Sequence, residues 1–308
     1  MITNQGIKTG LARFDIGDIT KIVPIKTTGN KSYKIVANKG EFFLRLSPND
    51  AMRGRSRAEL IAEIEFLDYL QRRNLPIHSA VDGKIISIDG KSGYIRQFDR
   101  GGAINDPTTD QITAFGELLG KMHRVAEGFK PTQNREHIWN LVTTKQNLLD
   151  DKKQIGIGFV KGEEFYKAFK TELFGIKMPK NLPKGMIHED LGKRHVLWQG
   201  GRISSVIDFD RCYVGYFVDD LGQAIRGWCF NTTDKFNGQN YQALLSGYKK
   251  ARELSKNEVI ALPQSVKFAF LERSLSYVLR GVHRNDKNSI EYAQQLLAAA
   301  KRVPVYFR

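Results

Sequence analysis

The sequence predicts an α+β protein in which a small antiparallel β lobe, residues 1–98, precedes a larger and mostly helical lobe, residues 99–308. Two observations carry this prediction. Short runs rich in β-branched and aromatic residues, separated by turns that contain Gly and Asn, fill much of the first segment. After residue 105 the apolar residues recur mainly at the three- and four-residue spacing of amphipathic helices.

The β lobe contains three strand candidates, a helix and two more strand candidates, in that order. The helix, residues 56–74, places Leu60, Ile64 and Leu67 on one face, as the helical period requires. The turns TTGN and NKG between the first three strands suit an antiparallel meander. The strand candidates are ITKIVPIK (19–26), SYKIVA (32–37), EFFLRLS (41–47), KIISI (84–88) and SGYIRQF (92–98).

The helical lobe is interrupted by residues that favour strands. Residues 110–125 and segments within 137–175 have helical patterning, and the chain after Asp219 is again mostly helical. The hairpin-like turn QGGR joins the last two runs of the interruption. This central β patch consists of GMIHED (185–190), HVLW (195–198) and RISSVIDFD (202–210).

Composition indicates a folded protein that favours anionic partners. The 308 residues are 41% hydrophobic, and 48 Lys and Arg against 33 Asp and Glu give a net charge of +15. Such a balance favours nucleotides, nucleic acids or acidic surfaces. The two cysteines, Cys212 and Cys229, match no zinc or disulfide pattern, and neither a signal peptide nor a membrane-spanning run is evident. We therefore expect a soluble, cytoplasmic protein.

A charged pair is expected in the β lobe. Glu63 interrupts the apolar face of the first helix, where a carboxylate is costly unless a cation meets it. Arg45, alone among the apolar residues of EFFLRLS, is the nearby candidate. Two interpretations are open: two solvated charges, or a pair that lets Arg45 hold phosphates. The turn TTGNKSY (27–33) can likewise cover phosphates with its backbone N–H groups, or serve only as a turn.

Two acids follow strands of the central β patch. Asp190 ends GMIHED, and Asp208 lies 18 residues further on, after SSVI. Acids at the ends of strands that flank a hairpin can meet at one point, where one orients a hydroxyl group and the other holds a divalent metal. The alternative is that both acids face water. Asp220, which opens DLGQAIRGWCF, is expected to cap that helix.

The spacing of these residues resembles the aminoglycoside phosphotransferase and choline kinase group, which shares the bilobal protein-kinase-like fold. The long block LPKGMIHEDLGKRHVLWQGGRISSVIDFDRC, followed by DDLGQAIRGWCF, is most similar to the homoserine-kinase branch. The resemblance covers roughly residues 14–280. The group's signature, HGDxxxxN followed by IDxx and xDLA, corresponds here to His188-Glu189-Asp190, His195, Ile207-Asp208 and Asp220-Leu221-Gly222.

The resemblance implies a role for each candidate residue in phosphoryl transfer. Asp190 corresponds to the acid that orients and deprotonates the acceptor hydroxyl, and Asp208 to the main metal ligand. Residues 30–33 would cover the nucleotide, and YIRQF would form the hinge that holds adenine. ATP and Mg²⁺, or Mn²⁺, are the implied cofactors. The implied nucleotide-binding residues are Asn30, Tyr33, Arg45 (in the place of a phosphate-binding lysine), its partner Glu63, Gln97 and Phe98.

Several positions depart from the group's pattern. His195 stands in the place of a metal-binding Asn, where an imidazole suits Mg²⁺ less well than an oxygen ligand. We expect His195 either to bind the metal or to have a structural role. At position 45 the planar guanidinium of Arg45 replaces the point charge of the group's lysine. Glu189 adds a second acid directly before Asp190, the implied base. Lys193 and Arg194 either bind a phosphate or an acidic acceptor, or belong to a solvated loop.

The sequence favours an ATP-dependent kinase that phosphorylates a hydroxyl group of a small polar molecule, with homoserine or a similar amino alcohol as the best-motivated acceptor. An antibiotic or sugar-alcohol phosphotransferase of the same group remains open, and so does a nucleotide-binding pseudokinase, which the departures motivate. The charge of +15 disfavours a strongly cationic acceptor. Nucleic acid is a disfavoured partner because no compact basic-aromatic motif is present.

Overall fold

An antiparallel β-sheet in the first part of the chain is followed by a mostly helical remainder. The computed structural model describes residues 2–27, 29–47, 55–231 and 235–307. The predicted α+β class, with its β-rich start, is confirmed. Within the described ranges, no helix is both long enough and apolar enough to cross a bilayer.

The chain forms two compact units, and each unit is assembled from separate stretches of sequence. The predicted lobes, 1–98 and 99–308, are each continuous, and their boundary stays a prediction. Unit 1 consists of Met1–Ile104, Phe129–Glu136 and Val196–Asp210, and unit 2 of Asn105–Gly128, His137–His195 and Arg211–Arg308.

Unit 1 is built on a five-stranded antiparallel sheet with the strand order β1-β2-β3-β5-β4. The predicted order of three strands, a helix and two strands is confirmed. Because side chains alternate along a strand, Leu44 and Leu46 lie on one face of the sheet and Arg45 lies on the other. The strands are β1 (Ile19–Ile25), β2 (Lys31–Ala37), β3 (Gly40–Leu46), β4 (Ile86–Ile88) and β5 (Lys91–Gln97).

Each face of this sheet is contacted by one helix of unit 1. Helix α1 (Asn4–Leu11), which the sequence pattern did not reveal, buries Ile7 and Leu11 in the core cluster that also contains Leu44 and Leu46. Helix α2 (Arg57–Gln71) starts with a capping box between Ser56 and Glu59 and carries Glu63 towards the face of Arg45. The sheet therefore has an apolar face and a charged face.

The strands of the predicted central β patch belong to two separate sheets. Strands β7 (Val196–Gln199) and β8 (Arg202–Val206) form the predicted hairpin and belong to unit 1, where Val206 N–H donates to the carbonyl of Pro76. Strand β6 (Lys184–Ile187) pairs instead with β9 (Tyr213–Tyr216) in unit 2. The pairing partner was missed because β9 is short and its pairing is non-local.

Unit 2 is mainly helical. Helices α3 (Thr109–Ala126) and α8 (Gly238–Ala251) pack closely against each other, and α7 (Phe217–Cys229) packs on α9 (Lys256–Arg284). The predicted helix at 110–125 corresponds to α3. The remaining helices described in this unit are α4 (Leu141–Asp150), α5 (Lys152–Gly158), α6 (Gly162–Phe174) and α10 (Lys287–Tyr306).

Candidate active site

The predicted pair of Arg45 and Glu63 is present on the charged face of unit 1. Arg45 Nη2 donates to Glu63 Oε2 at 2.9 Å, and the Tyr94 hydroxyl donates to Glu63 Oε1 at 2.8 Å. Burial alone would lower the pKa of Arg45, but the carboxylate of Glu63 reverses this and raises it. Burial alone would raise the pKa of Glu63, but Arg45 and then Arg135 hold it below its ordinary value. Both groups are therefore ionised at neutral pH.

Two further arginines belong to this charged face and were missed in the sequence. Arg135 Nη1 lies 3.9 Å from Glu63 Oε2, and Arg135 Nη2 donates to the backbone carbonyl of Asp210 at 2.7 Å. Arg55 Nη2 lies 3.6 Å from Asp210 Oδ2. Neither arginine lies in a strand or helix whose periodicity would have marked it. Together with Arg45 they make this part of unit 1 suited to phosphate groups.

Asp208 follows β8 in unit 1 and lies near a second acid. Its backbone φ is 70°, a left-handed conformation that few residues other than glycine adopt. Burial and then the neighbouring charge of Asp208 raise the pKa of Asp210. Carboxylate oxygens are the ligands that Mg²⁺ prefers, so Asp208 and Asp210 fit a hard divalent cation.

The side chains at the end of the segment predicted to cover the nucleotide, residues 30–33, point alternately to the two faces of the sheet. Tyr33 pairs with Leu44 and packs against the apolar core cluster, so its ring lies on the face opposite Arg45. Ser32 and Lys34 alternate with Tyr33 and lie on the face of Arg45. The prediction that Tyr33 contributes to nucleotide binding therefore requires its backbone rather than its ring.

The other predicted nucleotide-binding residues lie at the ends of strands. Phe98 follows β5, and Lys34 Nζ lies 4.5 Å from the centroid of its ring. Gln97 pairs with Phe42, lies on the apolar side of the sheet and lines a cavity of about 320 Å³. The backbone carbonyl of Asn30 accepts a hydrogen bond from the hydroxyl of Thr27. Thr28, in the same predicted turn, lies outside the described residues.

In unit 2, Asp220 organises the loop that carries Asp190. Asp220 Oδ2 accepts from the His188 N–H at 3.0 Å and Oδ1 accepts from the Glu189 N–H at 2.8 Å. A ring nitrogen of His123 lies 3.0 Å from Asp220 Oδ2. Helix α7 starts at Phe217, so the prediction that Asp220 caps this helix is wrong. Its carboxylate fixes the backbone of the loop instead.

Asp190 lies between two guanidinium groups. Arg273 Nη2 donates to Asp190 Oδ1 at 2.6 Å, and Arg194 Nη2 donates to Asp190 Oδ2 at 3.1 Å. Burial alone would raise the pKa of Asp190, but Arg273, then His195 and other cations hold it far below its ordinary value. Asp190 is thus a permanent carboxylate. The contribution of Arg273, 83 residues away along the chain, had no sequence signal.

Both ring nitrogens of His195 are engaged in unit 2. Arg194 Nε–H donates to His195 Nε2 at 2.8 Å, which makes Nε2 an acceptor and leaves the proton on Nδ1. Nδ1–H in turn donates to the backbone carbonyl of Asp190. A metal could bind Nε2 only if Arg194 moved away. Metal binding by His195 stays a prediction, and the observed contacts are those of a residue that holds the loop.

Glu189 is a buried acid next to Asp190. Its φ is 71°, which explains why a glycine would suit this position. Gln223 Nε2 donates to Glu189 Oε1 at 2.9 Å, whereas Oε2 has no hydrogen-bond partner among the described residues. Burial raises the pKa of Glu189 well above its ordinary value, Arg211 opposes this, and Glu272 and Asp220 add to it. Burial thus favours the neutral form of Glu189, while Arg211, 3.8 Å from Oε1, favours the ionised form.

The chain matches a known protein family and is similar to enzymes of known sequence. Residues 21–254 match the phosphotransferase enzyme family. Homoserine kinase from Rhizobium meliloti is 28% identical over 273 residues, which are 85% of this chain and 80% of that protein. Homoserine kinase from Sinorhizobium fredii is 26% identical over 312 residues, 96% of this chain and 92% of that protein.

Solved structures show the same fold at lower identity. An amicoumacin kinase in complex with AMP-PNP and Ca²⁺ has a TM-score of 0.71 at 17% identity, over 97% of this chain and 92% of that one. A microcompartment-associated aminopropanol kinase has a TM-score of 0.70 at 19% identity, over 99% and 98%. The predicted protein-kinase-like fold is confirmed, and the protein is an enzyme that transfers phosphate to an alcohol group. With a match over most of its length, the chain belongs to the phosphotransferase enzyme family.

Proposed function

We propose that this enzyme transfers the γ-phosphate of ATP to the hydroxyl group of homoserine. The observation that carries the proposal is Asp190, a buried carboxylate held ionised by Arg273 and Arg194 on a loop whose backbone Asp220 fixes. The homoserine kinases of R. meliloti and S. fredii, similar to this chain over 80% and 92% of their lengths, support the acceptor.

Asp190 would act on the acceptor hydroxyl mainly by orienting it. Its lowered pKa means that it accepts a hydrogen bond at any working pH but is a weak base for a free alcohol. In phosphoryl transfer the transition state is loose, and the acceptor proton becomes acidic only as its oxygen bonds to phosphorus. A carboxylate with a lowered pKa suits the late acceptance of that proton. His195 and Asp220 would hold the loop while this happens.

The charged face of unit 1 would hold the nucleotide phosphates. Arg45, fixed by Glu63 and Tyr94, presents a guanidinium that is ionised at every accessible pH, and Arg135 and Arg55 add positive charge beside it. Asp208 would bind Mg²⁺, which neutralises charge on the phosphates when it is bound. In the described parts of the chain no group of three or more His, Cys, Asp or Glu side chains forms a metal site. Mg²⁺ commonly binds one or two carboxylates together with substrate phosphates.

The test is ADP release from ATP, measured with homoserine, 3-aminopropan-1-ol, choline, a sugar alcohol and an aminoglycoside as acceptors, with Mg²⁺ and then Mn²⁺. We expect release to depend on the acceptor and to be fastest with homoserine. Asp190→Asn is expected to lower kcat by about 10²- to 10⁴-fold, since it removes the charge that orients the hydroxyl.

A matched variant controls for the loss of one negative charge. Asp106→Asn makes the same chemical change at an exposed position of unit 2 and should leave kcat at the wild-type value. Thermal unfolding of both variants shows whether either has lost its fold. Equal activity of Asp190→Asn and wild type would exclude Asp190 from the reaction, and ADP release with no acceptor dependence would refute the proposed function.

A further inference from the structure

We propose that Arg226 binds the carboxylate of the acceptor, so that the enzyme selects alcohols of amino acids over amino alcohols that lack a carboxylate. This inference rests on the proposed function and names the chemical feature that the acceptor side of the site recognises. It is carried by the surplus of positive charge around Asp190 and by the contacts of Arg226 within unit 2.

The surroundings of Asp190 in unit 2 hold more guanidinium groups than ionised carboxylates. Arg273 and Arg194 share Asp190, and Arg211 pairs with Glu272. Arg211 also lies 3.8 Å from Glu189 Oε1, and burial raises the pKa of Glu189 well above its ordinary value. With Arg226 included, four arginines lie among three carboxyl groups, those of Asp190, Glu272 and Glu189. The balance favours an anionic group on the molecule that binds here.

Arg226 is the arginine of this set that has no carboxylate partner in the described structure. It lies on α7, is half-buried, and donates from Nε to Gln223 Oε1 at 3.1 Å. Burial and then the positive charge of Arg273 lower its pKa to about 10. A cation kept partly from water without a counter-ion is unfavourable by itself. A carboxylate supplied by a ligand would relieve this cost.

The position of Arg226 relative to Asp190 suits a short bifunctional acceptor. Gln223 bridges Arg226 and Glu189, the residue before Asp190, through hydrogen bonds of 3.1 Å and 2.9 Å. The charge of Asp190 also acts on Arg226 directly. An acceptor of a few carbons can therefore place its hydroxyl at Asp190 and its carboxylate at the Arg226 fork, which binds carboxylates through two parallel hydrogen bonds.

The experiment compares homoserine with 3-aminopropan-1-ol, which is the same carbon chain without the carboxylate. In the wild-type enzyme we expect kcat/KM for homoserine to exceed that for 3-aminopropan-1-ol. Arg226→Gln should lower the ratio of kcat/KM for homoserine to kcat/KM for 3-aminopropan-1-ol by about 10- to 100-fold. The main cause should be a higher KM for homoserine. Arg226→Lys, which keeps the charge but not the fork, should recover part of the ratio.

An exposed arginine provides the matched control. Arg302→Gln on α10 removes one positive charge from the surface of unit 2 and should leave the acceptor ratio at the wild-type value. Thermal unfolding of each variant separates loss of fold from loss of recognition, and the ratio itself is insensitive to the fraction of active enzyme.

Each other outcome overturns the inference in a recognisable way. If Arg226→Gln lowers kcat/KM for both acceptors equally, Arg226 binds the phosphates or stabilises the fold and does not recognise the acceptor carboxylate. If the wild-type enzyme uses 3-aminopropan-1-ol as well as homoserine, the carboxylate is not selected, although phosphoryl transfer to an alcohol stands. If no acceptor of the wider panel receives phosphate, the proposed function fails and this inference fails with it.

Discussion

The pKa values of buried acids in unit 2 are shifted in opposite directions within a few residues of one another. The arginines that donate to Asp190 lower its pKa, whereas burial raises the pKa of Glu189, the adjacent residue. Asp219 is also buried and accepts one hydrogen bond, from the Ser265 hydroxyl at 2.8 Å. Burial raises the pKa of Asp219 to about 6, although Ser265 opposes the shift. The protonation of each acid thus follows from the donors that face it.

The pKa of Asp219 predicts a specific pH dependence of stability. Because the pKa in the folded chain, about 6, lies above the ordinary value of 3.8, the folded state binds the proton more tightly than the unfolded state. This contribution to stability is complete at low pH and is lost as the pH rises through 6. The Asp219→Asn variant cannot lose a proton at this position. The difference in unfolding free energy, Asp219→Asn minus wild type, should therefore rise by about 2 kcal/mol when the pH is raised from about 4.5 to about 7. Urea unfolding at both pH values measures this difference, and parallel pH profiles of the two proteins would contradict it.

The residue-scale features differ in how far the sequence could predict them. The pairing of Arg45 with Glu63 was predictable because a carboxylate on an apolar helix face needs a cation, and one strand offered it. The arginines that surround Asp190 were not predictable. Arg273 contacts Asp190 from 83 residues away, and neither residue lies on a pattern that would bring the two together. Long-range contacts between isolated polar residues leave no periodic signal.

Among the elements, helices α3 and α8 approach each other closely through glycines. A Cβ atom on Gly247 would lie 2.0 Å from the carbonyl oxygen of Thr113, and one on Gly116 would lie 2.1 Å from the carbonyl oxygen of Leu244. No side chain fits at these positions without moving backbone. Helix α3 also carries His123, which contacts Asp220, so this helix pair supports the residue that holds the Asp190 loop.

Gly247→Ala is therefore expected to destabilise the protein by about 1–3 kcal/mol, because the helices must separate to admit the methyl group. The matched control is Gly238→Ala at the start of the same helix, where the nearest atom would be 4.0 Å from the new Cβ. That change should be neutral or stabilising by up to about 1 kcal/mol, since alanine favours helix. Urea midpoints of the two variants give the comparison. A Gly247→Ala midpoint at or above that of Gly238→Ala would show that the crossing is not tightly packed.

The element order of the β-rich start was predictable, and two elements were not. Strands β1 to β5 and helix α2 follow alternating or helical patterns with turn residues between them. Helix α1 has buried apolar side chains only at Ile7 and Leu11, too few for a periodic signal. Strand β9 pairs with β6 across 25 or more intervening residues, and the hairpin next to β6 in sequence was the more obvious partner.

At the scale of the whole molecule, the candidate residues are distributed over both units. Arg45, Glu63 and Asp208 belong to unit 1, and Asp190 and His195 belong to unit 2. The chain passes from unit 2 to unit 1 directly after His195. Asp190, the predicted hydroxyl-orienting acid, and Asp208, the predicted metal ligand, therefore lie in different units although only 18 positions separate them in the sequence. The net charge of +15 is consistent with a molecule whose proposed ligands, a nucleotide and an amino-acid acceptor with a carboxylate, both carry negative charge.

The identity of the phosphorylated product tests the proposed function directly. The enzyme is incubated with ATP, Mg²⁺ and homoserine, and the products are separated and analysed by ³¹P NMR and mass spectrometry. We expect one phosphate monoester on the homoserine hydroxyl, formed in equal amount to ADP, and at least about 100-fold slower formation of this product by Asp190→Asn. ADP accompanied only by inorganic phosphate, or a monoester formed equally well by Asp190→Asn, would contradict this expectation.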